Sequence, residues 1–151
     1  MTERKTFATE PRADQLSRWV LAVMKRLDVE LASRCQSQFP ELRLSHLRIL
    51  QMIPPDGIRI TDLAMMTDRS KPGLVEFANW LEEAGFLSSR TDETDRRVRL
   101  VSRSGLGDAA VRAIQDAMTA IEEEWSLEIG VSSYEVMKHA LRQLGSRQQL
   151  W

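Results

Sequence analysis

Between Ala13 and Gln38 the apolar residues Leu16, Trp19, Val20, Val23, Met24, Leu27 and Leu31 recur at every third or fourth position. That spacing lines one side of a helix, and no glycine or proline interrupts it. Phe39-Pro40 predicts the end of this helix, because proline pushes the residue before it out of the helical region. A short helix follows, with Ser45 as N-cap and Leu47, Leu50 and Ile53 as its apolar side. Pro54-Pro55-Asp56-Gly57 reads as a turn, and Ile58-Arg59-Ile60 as a small strand. Thr61 is placed to cap a helix from Asp62 to about Met66, and Thr67-Asp68-Arg69 forms a tight connection. Ser70 caps the next helix, where Leu74, Phe77, Ala78 and Leu81 fall at i, i+3, i+4 and i+7 before Gly85 stops it. Two short helices joined by three residues have the geometry of a helix-turn-helix.

The pattern then changes period. Phe86-Leu87-Ser88-Ser89-Arg90 and Arg97-Val98-Arg99-Leu100-Val101 flank a polar loop, and the second run alternates arginine with aliphatic residues. Alternation predicts a β-hairpin with its arginines facing outward. A hairpin directly behind a helix-turn-helix is the plan of a winged helix. Ser104 opens a long helix with Ala110, Ile114, Ala117, Ile121 and Trp125 on one side. Gly130 breaks it, and Ser133 to about Leu144 resumes with Val136, Met137, Ala140, Leu141 and Leu144 until Gly145. The predicted fold is mainly α with a small β-hairpin wing. Residues 42–103 form the winged helix-turn-helix, 13–38 and 104–147 a separate helical region, and residues 1–12 are expected to fray.

Composition narrows the function. The 151 residues suit one domain with a real core. No apolar run reaches the length of a membrane span, and Met1 to Gln15 lacks the apolar core of a secretory signal, so the cytoplasm is the expected compartment. A single cysteine, Cys35, excludes an internal disulfide framework and a cysteine-based zinc site; with His46 and His139 far apart, no metal centre is expected. No nucleophile–base pair or phosphate-binding loop emerges, so an enzyme is not expected. Net charge is −1, but it is unevenly spread. Arg90 to Arg103 holds five arginines against three acids, whereas Ser104 to Trp151 holds seven acids against four bases. A basic element on a chain with an acidic end points to two tasks in two places.

Four blocks carry a family resemblance: LSHLRIL (44–50), ITDLAMMTDRSKPGLVEFANWLEEAGFL (60–87), TDETDRRVRLVS (91–102) and SGLG (104–107). Over about residues 13–145 the chain resembles the MarR-type transcriptional regulators. The matching features are Leu50, Leu63-Ala64, Leu81-Glu82 with Gly85-Phe86, and Asp95 with Arg97. The resemblance implies a homodimer whose terminal helices interlock, with two winged helices acting on double-stranded DNA, more often to repress than to activate. The apolar surface of the terminal helices, with Trp125 and Trp151, exceeds what one small domain buries and agrees with that implication.

In that setting the three arginines of the hairpin have a purpose. DNA carries about one negative charge per 1.7 Å of axis, so a wing tip must be cationic. Arg96 is expected to enter a minor groove, where the planar, weakly hydrated guanidinium is favoured. Asp95 is expected to stiffen the hairpin through Arg97 or loop amides, and Arg99, on the side of Arg97, to meet phosphate. In the recognition helix, Ser70, Lys71 and Gly73 lie in the first turn, where free amides attract phosphate. Lys71 is assigned a phosphate or guanine, Val75 a thymine methyl, Glu76 cytosine and Asn79 adenine. Thr61 is a further phosphate candidate. The chain departs from the family pattern at Arg69, Glu76 and Arg103; the two arginines add possible phosphate contacts, and Glu76 removes favourable charge.

The resemblance also implies a pocket for a small aromatic or phenolic effector between the helical region and the winged helix. By position its candidates are Trp19, Arg43, His46 and Met52. The plainer expectations are Trp19 in the core, His46 as a helix-start polar group, Cys35 as a buried inert thiol, and Glu122-Glu123-Glu124 as a solvated face. The alternative function is a winged-helix adaptor that binds a protein and has lost affinity for DNA.

Overall fold

The computed structural model describes residues 15–67 and 69–146. The expectations for residues 1–12, for Asp68 and for Trp151 lie outside the described residues. The elements run α1 (Leu16–Gln36), α2 (Leu44–Met52), β1 (Ile58–Arg59), α3 (Ile60–Thr67), α4 (Lys71–Glu83), β2 (Leu87–Thr91), β3 (Arg99–Arg103), α5 (Gly105–Ile129) and α6 (Val131–Gly145). The strands form one antiparallel sheet in the order β1-β3-β2, so the expected hairpin gains a third strand through Ile58↔Val101 and Arg59↔Leu100.

Local chemistry sets most boundaries. Phe39 donates its amide to the Cys35 carbonyl as α1 closes ahead of Pro40. The start of α2 differs from expectation: Arg43 is the N-cap residue and Ser45 lies inside the helix. The His46 Nδ1 atom, in the third helical position, accepts the N–H of the N-cap residue Arg43 at 2.9 Å, so the ring reaches back to satisfy the cap's own amide. Ile60 already belongs to α3, which shortens β1 and puts Thr61 in the first turn rather than at the cap. Ser104 caps α5 by accepting the Gly107 N–H at 3.1 Å. Gly130, at φ 88°, separates α5 from α6; α6 starts at Val131, not Ser133, and Gly145 belongs to its last turn.

One core joins α2, α3, α4, the sheet, the middle of α5 and the C-terminal end of α1. Leu50, Ile53, Leu63, Leu74, Leu81, Phe86 and Val101 are completely buried there. Burying each such side chain contributes about 1.5–3 kcal/mol. Phe39 meets Phe86 edge to face at 6.0 Å between ring centres. The outer helices behave differently. Only Leu31 and Cys35 of α1 and Tyr134 of α6 are buried. Trp19 is 55% exposed, which corrects its expected place in the core, and Val136 and Leu144 are 71% and 64% exposed. The long face of α5 does pack as its periodicity predicts, with Ala110, Ile114, Ala117 and Ile121 buried.

Candidate nucleic-acid interface

Helix α4 owes its start to Ser70, whose Oγ accepts the Gly73 N–H at 3.3 Å. A Cβ at Gly73 would stand 3.1 Å from that Oγ, so the glycine leaves room for the cap. Pro72 sits in the first turn, where its missing N–H costs nothing. Thr61, Ala64 and Met65 of α3 face Arg69, Ser70 and Lys71 across an open groove. Lys71 and Arg69 are exposed, and the Arg69 guanidinium lies 5.1 Å above the Phe77 ring. Glu76 is exposed as expected. Val75 is not, since it packs partly against the core and offers little of its methyl surface outward.

The wing loop, residues 92–98, is built by its own acids. The Asp92 Oδ1 atom accepts both the Thr94 amide at 2.8 Å and the Thr94 hydroxyl at 2.6 Å. These bonds hold the Asp92 carboxyl below the ordinary carboxylate range. Asp95 Oδ1 accepts the Arg97 amide at 3.0 Å, and the Val98 amide donates to the Asp95 carbonyl. Two of the loop's three acids are thus turned onto its backbone. Arg96 and Arg97 lie in the turn, are exposed, and pair with no acid among the described residues. Arg97 was expected in the second strand, but β3 begins only at Arg99.

Arg99 is placed differently from its expected outward position. It shares a face of β3 with the buried Val101, and the register sets Val101 opposite Ser89. Its side chain is only 28% exposed and points at α4. Its Nε donates to the Ser89 hydroxyl at 2.8 Å, Nη1 to Asn79 Oδ1 at 2.5 Å, and Nη2 to Glu82 Oε2 at 2.5 Å. Glu82 also accepts the Ser89 amide at 3.0 Å and the Ser89 hydroxyl at 2.8 Å. Partial burial opposes the charge on Glu82, but the hydrogen bonds from Ser89 and Arg99 outweigh it and hold the carboxyl below its ordinary 4.5. The expected phosphate contact of Arg99 is therefore replaced by a strut between wing and helix. Arg103 is likewise turned inward, donating to Asp108 at 2.7 Å and to the Leu50 carbonyl at 3.3 Å. Glu82 and Ser89 were not anticipated as partners. The signal was available, because pairing the two runs in hairpin register puts 89, 99 and 101 on one face.

The four effector candidates are not gathered. Trp19 lies on the exposed side of α1, and Arg43 is exposed at the start of α2. Met52 packs partly on the core at the far end of α2. His46 stacks on Trp80 at 4.3 Å between ring centres and tilts against Phe77 at 4.6 Å. None of the four lines the α3–α4 groove or a second groove between α5 and α6 around Glu122, Leu127, Tyr134 and Lys138. Glu122 pairs with Lys138, and Glu124 with Arg34 at 2.6 Å, so that acidic run is partly used in helix contacts. Cys35 is 1% exposed, and burial pushes its thiol up, away from the reactive thiolate.

No family model matches the sequence, and neither does any curated protein. Solved structures do match. A mutant MarR from E. coli complexed with operator DNA aligns at TM-score 0.69 and 15% identity, over 85% of this chain and 92% of that one. The S. aureus MepR–DNA complex aligns at 0.69 and 18%, over 88% and 98%. The transcriptional regulator Tm0710 from Thermotoga maritima aligns at 0.65 and 18%, over 87% and 94%. At these identities the likeness establishes the fold. The chain has the MarR-type winged-helix architecture.

Proposed function

We propose that the chain is a DNA-binding transcriptional regulator acting as a homodimer. Helix α4 enters a major groove with Lys71 and Arg69 at its phosphate-facing end, and the wing tip carries Arg96 and Arg97 to the neighbouring minor groove. The observation that carries this reading is the wing loop, which satisfies its own amides with Asp92 and Asp95 and leaves Arg96 and Arg97 exposed at its tip without an acidic partner among the described residues. Two of the structures that share the fold are complexes with DNA, which supports the same reading.

The homodimer rests on the apolar residues that a single chain leaves uncovered: Leu16, Trp19, Val20 and Val23 on α1, and Val136, Leu141 and Leu144 on α6. Residues 13–38 and 104–147 supply this pairing and residues 42–103 the DNA contact. No helix among the described residues is long and apolar enough to cross a membrane, in keeping with a cytoplasmic site of action. We assign it a repressor's role, relieved by a small aromatic or phenolic ligand. Selection of duplexes from a random pool, followed by footprinting, tests the proposal. Two related half-sites with centres roughly 10 base pairs apart are expected. A pool from which no sequence is enriched contradicts it.

A further inference from the structure

The strut at Arg99 bears on what α4 can read. A guanidinium only donates hydrogen bonds, so the Asn79 atom facing Arg99 must be the carbonyl oxygen. The donor is charged, and charge-assisted hydrogen bonds are stronger than neutral ones. Arg99 is itself fixed by Ser89 and Glu82, so Asn79 is held by a braced group rather than by a free surface arginine. With its carbonyl turned to the wing, the exposed Asn79 amide has its two N–H donors left for an outside partner. Recognition of adenine by an amide needs oxygen and nitrogen together on the base edge, oxygen to N6 and nitrogen to N7. Here adenine's N6 amino group would have to share the oxygen with a cation. Guanine presents two acceptors, N7 and O6, and matches a pair of donors.

Resting on the DNA-binding reading above, we propose that Arg99 is a positioning residue that turns Asn79 into a donor-only reader, selecting guanine instead of adenine. Arg99 touches no base in this arrangement; it acts through Asn79.

The test compares selected DNA sites for the wild-type chain and three variants. Wild type is expected to show one G·C position per half-site, preferred roughly tenfold over A·T. Asn79→Ala should erase the preference at that position alone. Arg99→Met frees the amide to turn and should move the position toward A·T. Asn79→Asp, an exposed substitution that disturbs no packing, keeps the Arg99 contact but has no donor, and should move it toward cytosine on the contacted strand. An unchanged site with Arg99→Met, an A·T position erased by Asn79→Ala in the wild-type site, or a uniform loss of affinity with Asn79→Ala would each overturn the inference while leaving DNA binding intact. Failure of the wild type to enrich any sequence would overturn both.

Discussion

Gly107 lies directly beneath Phe86. A Cβ on Gly107 would fall 2.2 Å from the Phe86 carbonyl oxygen, too close for any side chain. The same carbonyl accepts the Ser104 amide at 3.1 Å, and the Ser104 hydroxyl donates to the Gly85 carbonyl at 2.6 Å. Gly85 is at φ 83°, in the left-handed region open to glycine. The end of α4 and the start of α5 are therefore joined backbone to backbone. Gly107→Ala must push these elements apart and should lower stability by about 1–3 kcal/mol. Denaturant unfolding measures this, and an unchanged midpoint would show that the junction is looser than described.

His46 predicts a pH dependence. Burial lowers its pKa from the ordinary 6.5, and the nearby Arg43 and Arg69 lower it further. The neutral ring is the form that accepts the Arg43 amide while it stacks on Trp80 and tilts against Phe77. Because the unfolded chain binds this proton more readily, the ring's contribution is complete above pH 6.5 and is lost as pH falls through the folded value. Melting temperature should drop from about pH 7.5 to about 5.5. In His46→Asn, which retains an acceptor near the Nδ1 position but does not titrate, the drop should be smaller. Equal drops in both proteins would remove His46 as the cause.

Much of the fold was legible because its helices bury one face. The 3–4 spacing of Leu74, Ala78 and Leu81, and of Ala110, Ile114, Ala117 and Ile121, marks the faces that the structure buries. Periodicity marks a face without saying what covers it, and so Trp19 and Val20 match the pattern of α1 while remaining exposed in the single chain. The wing was legible in place but not in orientation. Alternation was taken to set Arg99 outward and its aliphatic neighbours inward, yet the same parity groups Arg99 and Arg103 with the buried Val101, and their acidic partners Glu82 and Asp108 lie on helices outside the hairpin. Asp95 was readable because its partner, the Arg97 amide, is two residues away. The effector candidates had only position to recommend them, and among the described residues they line neither of the two grooves.

The exposed face of α6 predicts the oligomeric state. Leu141 and Leu144 are 54% and 64% exposed, so charged residues there should leave the single-chain fold intact. In the homodimer they would meet a partner, and each change to glutamate should weaken pairing by about 2 kcal/mol, roughly 30-fold. Sedimentation should report twice the 17.3 kDa chain mass for wild type and a shift toward 17.3 kDa for the double variant. A wild-type chain that sediments as a monomer at micromolar concentration would remove the paired geometry from the proposal.

In the proposed complex the wing-tip cations Arg96 and Arg97, without an acidic partner among the described residues, bind the phosphate-rich grooves beside α4. Affinity for a selected duplex, titrated against salt for wild type and for Arg96→Ala/Arg97→Ala, tests this most directly. The affinity of wild type should fall steeply as salt rises, and the double variant should bind more weakly with a log–log slope shallower by about 2. A wild-type affinity indifferent to salt, or a double variant with the wild-type slope, would contradict the account.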